Sequence, residues 1–394
     1  MSIKEIIKKI GFKIYHFGTY FIPVDKNMLI FESSTGRNYS GNPKYIYEEL
    51  VKEGLDKELK CIWIFNDINT KIPGNAKKVK RSGFKFLYYT AKSGFWIFDS
   101  RHQYYLRKNK KTKYIQTWHG TVFKKLGLDI DKLNMSGDTD AKKYREEFRK
   151  NTSKWDYLIS QNPHSTKTFK RAFDFKGEML EIGYPRNDIL VNNNDEENIN
   201  KIKDKLNIPK DKKVILYAPT WRDNQFNKIG EYKFATAMDF DMMKESLADD
   251  YVLIVKYHYL VKDNIDWSKY KDFIIECNAS WDIQELYLIS DMMITDYSSV
   301  MFDYSILKRP MIYFTYDIED YKNNIRGMYF DIFKEAPGPT ITNNSELINY
   351  IKNFDLKEYN NKYGNKYKKF NEKFNPFDNG NASKAVVYLI LDNK

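Results

Sequence analysis

The sequence predicts an α/β protein built in two halves, each a parallel β-sheet interleaved with helices. Three observations carry this. Short apolar runs recur along the chain with room for a helix between them, which is the rhythm of a parallel sheet. The chain has 394 residues, more than one core usually serves. The rhythm also breaks once, at the polar stretch VNNNDEENINKIKDKLNIPKDKK, and then resumes.

The runs of the first half are Met28–Phe31, Cys61–Phe65, Phe95–Phe98, Tyr114–Gln116, Tyr157–Ser160 and Met179–Ile182. Those of the second are Val214–Tyr217, Tyr251–Val255, Phe273–Ile275, Met292–Thr295 and Met311–Phe314. Each is too short for a helix, and several end in a polar residue or Gly. Two Rossmann-like lobes with a cleft between them are therefore expected, over residues 1–190 and 191–355. A tail over 356–394 ends in a helical pattern at Ala382–Leu391 and is expected to pack back on the first lobe.

At the other end, Ile3, Ile6, Ile7, Ile10 and Ile14 recur at helical spacing, with Lys4, Lys8, Lys9 and Lys13 between them. A basic amphipathic helix of this kind either lies in a membrane surface or docks on its own protein. Every apolar run falls far short of the roughly 20 residues that cross a bilayer. The first residues also lack the apolar centre of a signal peptide, which disfavours secretion.

Composition narrows the classes further. The formal net charge of +12 favours anionic partners: lipid, a polyanionic polymer or nucleic acid. No compact RNA-binding motif appears, so nucleic acid is set aside. Two cysteines in apolar runs, Cys61 and Cys277, exclude a disulfide scaffold and a cysteine metal site, and fit a reducing compartment. Aromatic residues make up 16% of the chain, so much of the interior is packed with rings.

Candidate chemistry sits just beyond the strands, where ligands bind in open α/β sheets. In YIQTWHGTVFKKLG a strand runs into a turn carrying His119, with Gly120 leaving space beside it. An imidazole there can take a proton from a hydroxyl near neutral pH. In YVLIVKYHYL, Lys256 and His258 share one side of an extended segment and can face phosphate oxygens. In LYAPTWRDN, Thr220 turns the chain and Arg222 offers a planar fork suited to a diphosphate. In MMITDYSSVMFDYS, Ser298 and Ser299 precede a helix whose start can hold phosphate, and Asp303 lies one turn on. The loop FESSTGRNYSGNPKYIYEEL, with Pro43 suited to a first helical turn, adds a further possible ligand surface. Each feature also has a plain structural reading, as a turn, a cap or a solvated edge.

Together these segments resemble the CDP-glycerol glycerophosphotransferase family of teichoic acid synthesis. The likeness rests on QTWHGT at Gln116–Thr121, GYPRND at Gly183–Asp188, APTWR at Ala218–Arg222 and TDYSSVMFDY at Thr295–Tyr304. RPMIYF at Arg309–Phe314, the FESSTGRNYSGNP loop and the closing NPFDNGNAS agree with it. The resemblance implies a glycosyltransferase B fold and transfer of glycerol phosphate or ribitol phosphate from CDP-glycerol or CDP-ribitol, with release of CMP. It implies His119 as the catalytic histidine, His258 as a second one near the diphosphate, and Ser298 and Ser299 as phosphate-binding residues. It further implies a lipid-linked polymer acceptor and a peripheral place on the cytoplasmic face of an anionic membrane. No tightly bound cofactor and no metal cage are expected, and a role for Mg²⁺ is left open. Two departures stand out: Tyr259 follows the second histidine where the family usually has Pro, and the loop reads Gly41-Asn42-Pro43 where it usually reads DNP. The alternatives are a nucleotide-sugar glycosyltransferase of the same fold and a non-catalytic polyanion-binding protein.

Overall fold

A computed structural model describes residues 3–394 except 104, 131–140, 221–225, 229–230, 234–236, 258–260, 263–264, 279–280 and 319–326. The chain forms two compact units. One comprises Met1–His119, Lys142–Asp188 and Phe377–Lys394; the other comprises Gly120–Ala141 and Ile189–Pro376.

The first unit is built on β1 (Asp25–Glu32), β2 (Lys60–Phe65), β3 (Lys77–Lys80), β4 (Ser93–Phe98), β5 (Lys113–Gln116), β6 (Tyr157–Ser160) and β7 (Glu178–Glu181). The order is β3-β2-β1-β4-β5-β6-β7, and every neighbouring pair is parallel. The sequence rhythm overlooks β3 because only Val79 of its four residues is buried.

In the second unit, β8 (Lys213–Tyr217), β9 (Phe226–Lys228), β10 (Glu231–Lys233), β11 (Tyr251–Val255), β12 (Val261–Lys262), β13 (Ile274–Glu276), β14 (Met292–Thr295), β15 (Met311–Phe314) and β16 (Thr340–Ile341) follow. Six of these form a parallel sheet of order β13-β11-β8-β14-β15-β16, and β12, β10 and β9 make a separate small sheet. Val214 and Leu216 of β8 enter one apolar cluster, while Ile215 and Tyr217 enter another. Alternate residues thus bury on opposite faces, so a central parallel strand reads as an unbroken apolar run.

In both large sheets the first strand has its successors on one side and later strands on the other. The order reverses between β1 and β4, and between β8 and β14. Such switch points open a crevice at the carboxyl ends of the strands.

The tail divides between the units. The helix Leu356–Phe374 buries Tyr359, Tyr367, Phe370 and Phe374 in the core of the second unit. The helix Ala382–Asp392 adds Val386, Val387 and Ile390 to the core of the first, with Leu29, Phe31 and Ile46. Asp188 fixes this return by accepting from Ala382 N (3.0 Å) and Ser383 N (2.7 Å), two main-chain donors at the helix start. Asp378 accepts from Tyr184 N, Asn187 Nδ2 and Gln161 Nε2 at 3.0, 3.0 and 2.8 Å. Gly183 is required here: its φ is +79°, and a Cβ would stand 2.7 Å from Phe377 O. The segments GYPRND and NPFDNGNAS therefore close on each other.

The helix Ile3–Gly18 uses two faces. Phe12 stacks on Tyr105 with ring centres 4.2 Å apart, and His16 Nε2 meets Tyr105 O at 2.6 Å. Just after the helix, Arg107 donates to Thr19 Oγ1 at 2.7 Å. Ile10, Ile14, Phe17 and Phe21, spaced along a different face, are 52%, 67%, 67% and 72% exposed.

Candidate active site

In the first unit, β5 ends at Gln116 and the chain turns through Thr117 and Trp118 to His119. Trp118 has φ 54°, a left-handed conformation that costs a non-glycine residue about 1–2 kcal/mol. Gln116 Oε1 accepts Trp118 N at 3.0 Å, and Asn42 Nδ2 donates to Thr117 O and Trp118 O, both at 3.0 Å. These bonds hold the turn in its strained form.

His119 Nδ1 lies 2.7 Å from Asp99 O. A main-chain carbonyl only accepts, so Nδ1 carries the proton and Nε2 keeps its lone pair. His119 is exposed, and its ring stacks on Trp118 with centres 4.4 Å apart. Crowding by protein depresses its pKa below the ordinary imidazole value, with Arg186 and Arg101 adding to this and Asp99 opposing it. This shift favours the neutral imidazole over imidazolium.

Asp99 closes β4 at the switch point and is buried. Its carboxylate accepts from Ser33 Oγ (2.8 Å), Ser34 N (2.9 and 3.0 Å) and Ser100 Oγ (2.7 Å). It thereby pins a left-handed turn in which Ser34, Thr35 and Gly36 have φ of 48°, 56° and 78°. Beside it lies a buried trio. Glu32 at the end of β1 is 3.2 Å from Arg81 Nε and 3.8 Å from His102 Nε2. Burial pushes the Glu32 carboxyl up to about 7 and holds His102 down at about 3.

In the second unit, Asp296 Oδ1 beyond β14 accepts Thr220 N (2.8 Å) and Tyr297 N (2.6 Å). Thr295 Oγ1 donates to Ala218 O at 2.8 Å. The loops after β8 and β14 are thus tied together at the second switch point. The helix that follows is Val300–Tyr304, only five residues, so its dipole contributes little. Ser299 makes no capping hydrogen bond, and Ser298 Oγ is 3.5 Å from Val300 N, too long to be an effective cap. Both residues are only half-buried.

Asp303 lies deeper, 2% exposed, with Gln284 Nε2 at 3.5 Å. Lys256 donates to Asn278 O and, at 2.9 Å, to Trp281 O, so it braces that loop. Burial lowers its pKa. Arg222 and His258, with Tyr259, lie outside the described residues. Among the described residues, no group of three His, Cys, Asp or Glu side chains is placed to hold a metal ion.

Sequence reasoning missed Asp99, Asn42, Arg186 and Asp296. Arg186, in the GYPRND segment, donates from Nη1 to His119 O at 2.8 Å and has its own N–H on Asn42 Oδ1 at 3.1 Å. Asn42, Arg186 and Asp296 lay inside segments quoted for the family resemblance, whereas Asp99 offered only a lone polar residue at a strand end, which any loop also supplies.

Comparison with known proteins agrees with this layout. The family model described as CDP-Glycerol:Poly(glycerophosphate) glycerophosphotransferase matches residues 14–392. The teichoic acid poly(glycerol phosphate) polymerase of Bacillus subtilis (strain 168) is 46% identical over 86% of this chain, which spans only 45% of that protein. The teichoic acid glycerol-phosphate transferase of Staphylococcus aureus is 42% identical over 93% of both chains. A solved structure of the wall teichoic acid polymerase TagF, a His-to-Asn variant soaked with CDPG, superposes with TM-score 0.91 at 40% identity over 99% of this chain and 95% of that one. The fold is accordingly of the glycosyltransferase B type. With a match running through nearly all its length, this chain belongs to the CDP-glycerol:poly(glycerophosphate) glycerophosphotransferase family.

Proposed function

We propose that this chain transfers glycerol phosphate from CDP-glycerol to the terminal hydroxyl of a lipid-linked poly(glycerol phosphate) chain, releasing CMP. The observation that carries the reading is the fixed tautomer of His119, whose Nδ1–H is spent on Asp99 O. Nε2 takes the proton of the acceptor hydroxyl as its oxygen attacks the outer phosphorus of the donor. The bond from that phosphorus to the bridging oxygen breaks, and CMP leaves with the electron pair. Positioning and charge stabilisation carry most of such a transfer. On the donor side, the uncapped hydroxyls of Ser298 and Ser299 and the Thr220 turn hold phosphate oxygens, and Arg222 and His258 offset the diphosphate charge. Lys256 acts by bracing its loop, and Asp303 orients the donor from below. Glycerol is preferred to ribitol because the relatives described above are named for glycerol phosphate.

A lipid-linked acceptor must be met at an interface. No helix among the described residues is long and apolar enough to cross a membrane. The outward face of the N-terminal helix, Ile10, Ile14 and Phe17, with nearby Phe21, supplies the contact on the cytoplasmic side while its other face stays docked. The +12 charge adds attraction to anionic headgroups.

The test is CMP release from CDP-glycerol, CDP-ribitol and a nucleotide-sugar panel, with a lipid-linked glycerol phosphate primer. The expected result is acceptor-dependent release from CDP-glycerol, with products growing by whole glycerol phosphate units in mass spectra. Preference for a nucleotide sugar contradicts the proposal.

A further inference from the structure

We infer that Asn42 is a positioning residue for the proposed general base, holding the two peptide planes that bracket Trp118 and so setting the direction of His119. The inference rests on the reading of His119 as the base. Asn42 stands at the start of the helix Gly41–Lys52 and is 1% exposed. Its carboxamide is used at both ends. The nitrogen donates to Thr117 O and Trp118 O at 3.0 Å each, and the oxygen accepts Arg186 N at 3.1 Å.

The choice of carbonyls matters. Thr117 O belongs to the peptide before Trp118, and Trp118 O to the peptide after it. The orientation of these two planes is the φ and ψ of Trp118, which sits at φ 54°. One side chain therefore fixes both torsions of a strained residue directly ahead of the imidazole. Arg186, seated on Asn42 by its main chain, reaches the next carbonyl in the row, His119 O, at 2.8 Å. Three consecutive carbonyls are held from one buried amide and its partner. With Nδ1 bound to Asp99 O at 2.7 Å, this leaves Nε2 one direction.

A residue that only stitched a helix to a sheet would affect stability alone. One that recognised the acceptor would affect acceptor KM alone. Asn42→Asp separates these from positioning. It keeps the shape and the acceptor for Arg186 N, but sets an oxygen against two carbonyls. Asn42→Ser removes the bridge without the repulsion.

The experiment measures kcat, KM for CDP-glycerol and for acceptor, and thermal midpoint. It also records ¹⁵N shifts of the imidazoles in protein labelled only at its five histidines, with His119 assigned by His119→Gln. Expected are a fall in kcat of about 100-fold for Asn42→Asp, the scale of a misplacement near 1 Å, an unchanged donor KM, and loss of the single Nδ1–H tautomer at His119. Turnover within about threefold of the parent, an unmoved His119 signal, or a change in acceptor KM alone overturns the inference. If neither variant folds, Arg186→Gln decides, because it keeps the main-chain bond to Asn42 and removes only the donor to His119 O. It should lower kcat about tenfold, and unchanged turnover overturns the inference. His119→Ala run alongside tests the base reading separately: full turnover there sinks that reading, whereas the tautomer signal still reports on Asn42.

Discussion

Asp99 serves His119 twice, through its main-chain oxygen and through its charge, and the two can be separated. Asp99→Asn keeps the carbonyl that holds Nδ1–H but removes the carboxylate that favours imidazolium. In the proposed mechanism the neutral ring is the active form, and its pKa lies below the ordinary value because crowding, Arg186 and Arg101 outweigh Asp99. Without the Asp99 charge the imidazolium loses a favourable neighbour, so the acidic limb of kcat moves to lower pH. A pH–rate profile checks this, and a limb that stays put or rises contradicts it. His119 was singled out in the sequence by its place after a strand taken together with the other polar segments and the QTWHGT resemblance. The contacts of Asp99 and Asn42 were not legible, because Asp99 offers its main-chain oxygen to a ring 20 residues on and Asn42 binds main-chain oxygens about 75 residues on.

Among the elements, central strands such as β8 and β11 were readable because both their faces are buried, which writes an unbroken apolar run. Lys77–Lys80 and Thr340–Ile341 lie at sheet edges and bury one residue each, which leaves no pattern to read. The helix after Ser299 was placed correctly but proves to be five residues long, followed by a 3₁₀ turn at Ser305–Leu307. Its hydroxyls, not its dipole, are the phosphate ligands to test. For the N-terminal helix the sequence offered docking or membrane contact as alternatives; the structure docks Phe12 and His16 and leaves Ile14 and Phe17 outward. Replacing Ile14 and Phe17 with Asp should leave the docked face intact and the circular dichroism unchanged. It should weaken flotation with anionic vesicles about tenfold per residue, the scale of one apolar side chain withdrawn from a nonpolar layer. Equal flotation of parent and variant assigns any membrane contact to another patch.

Across the whole molecule, two parallel sheets show the same reversal of strand order, and most of the quoted motifs follow the carboxyl ends of their strands. That duplication was legible as a repeated rhythm. The course of the chain between units was not. It passes into the second unit directly after His119 and returns at Lys142. The crossing segment is held by Lys125 N on Gly327 O (2.8 Å) and Tyr329 N on Phe123 O (2.9 Å), pairings about 200 residues apart that no local pattern announces. The tail divides for a similar reason: the helix Leu356–Phe374 carries an aromatic stripe for one core and Ala382–Asp392 an aliphatic one for the other. The most direct test is acceptor-dependent CMP release from CDP-glycerol by the intact enzyme and by His119→Ala, with donor affinity measured on both. The account predicts a loss of about 10²–10⁴-fold in turnover, the usual worth of a general base, with donor affinity unchanged. Near-parental CMP release from folded His119→Ala would contradict it.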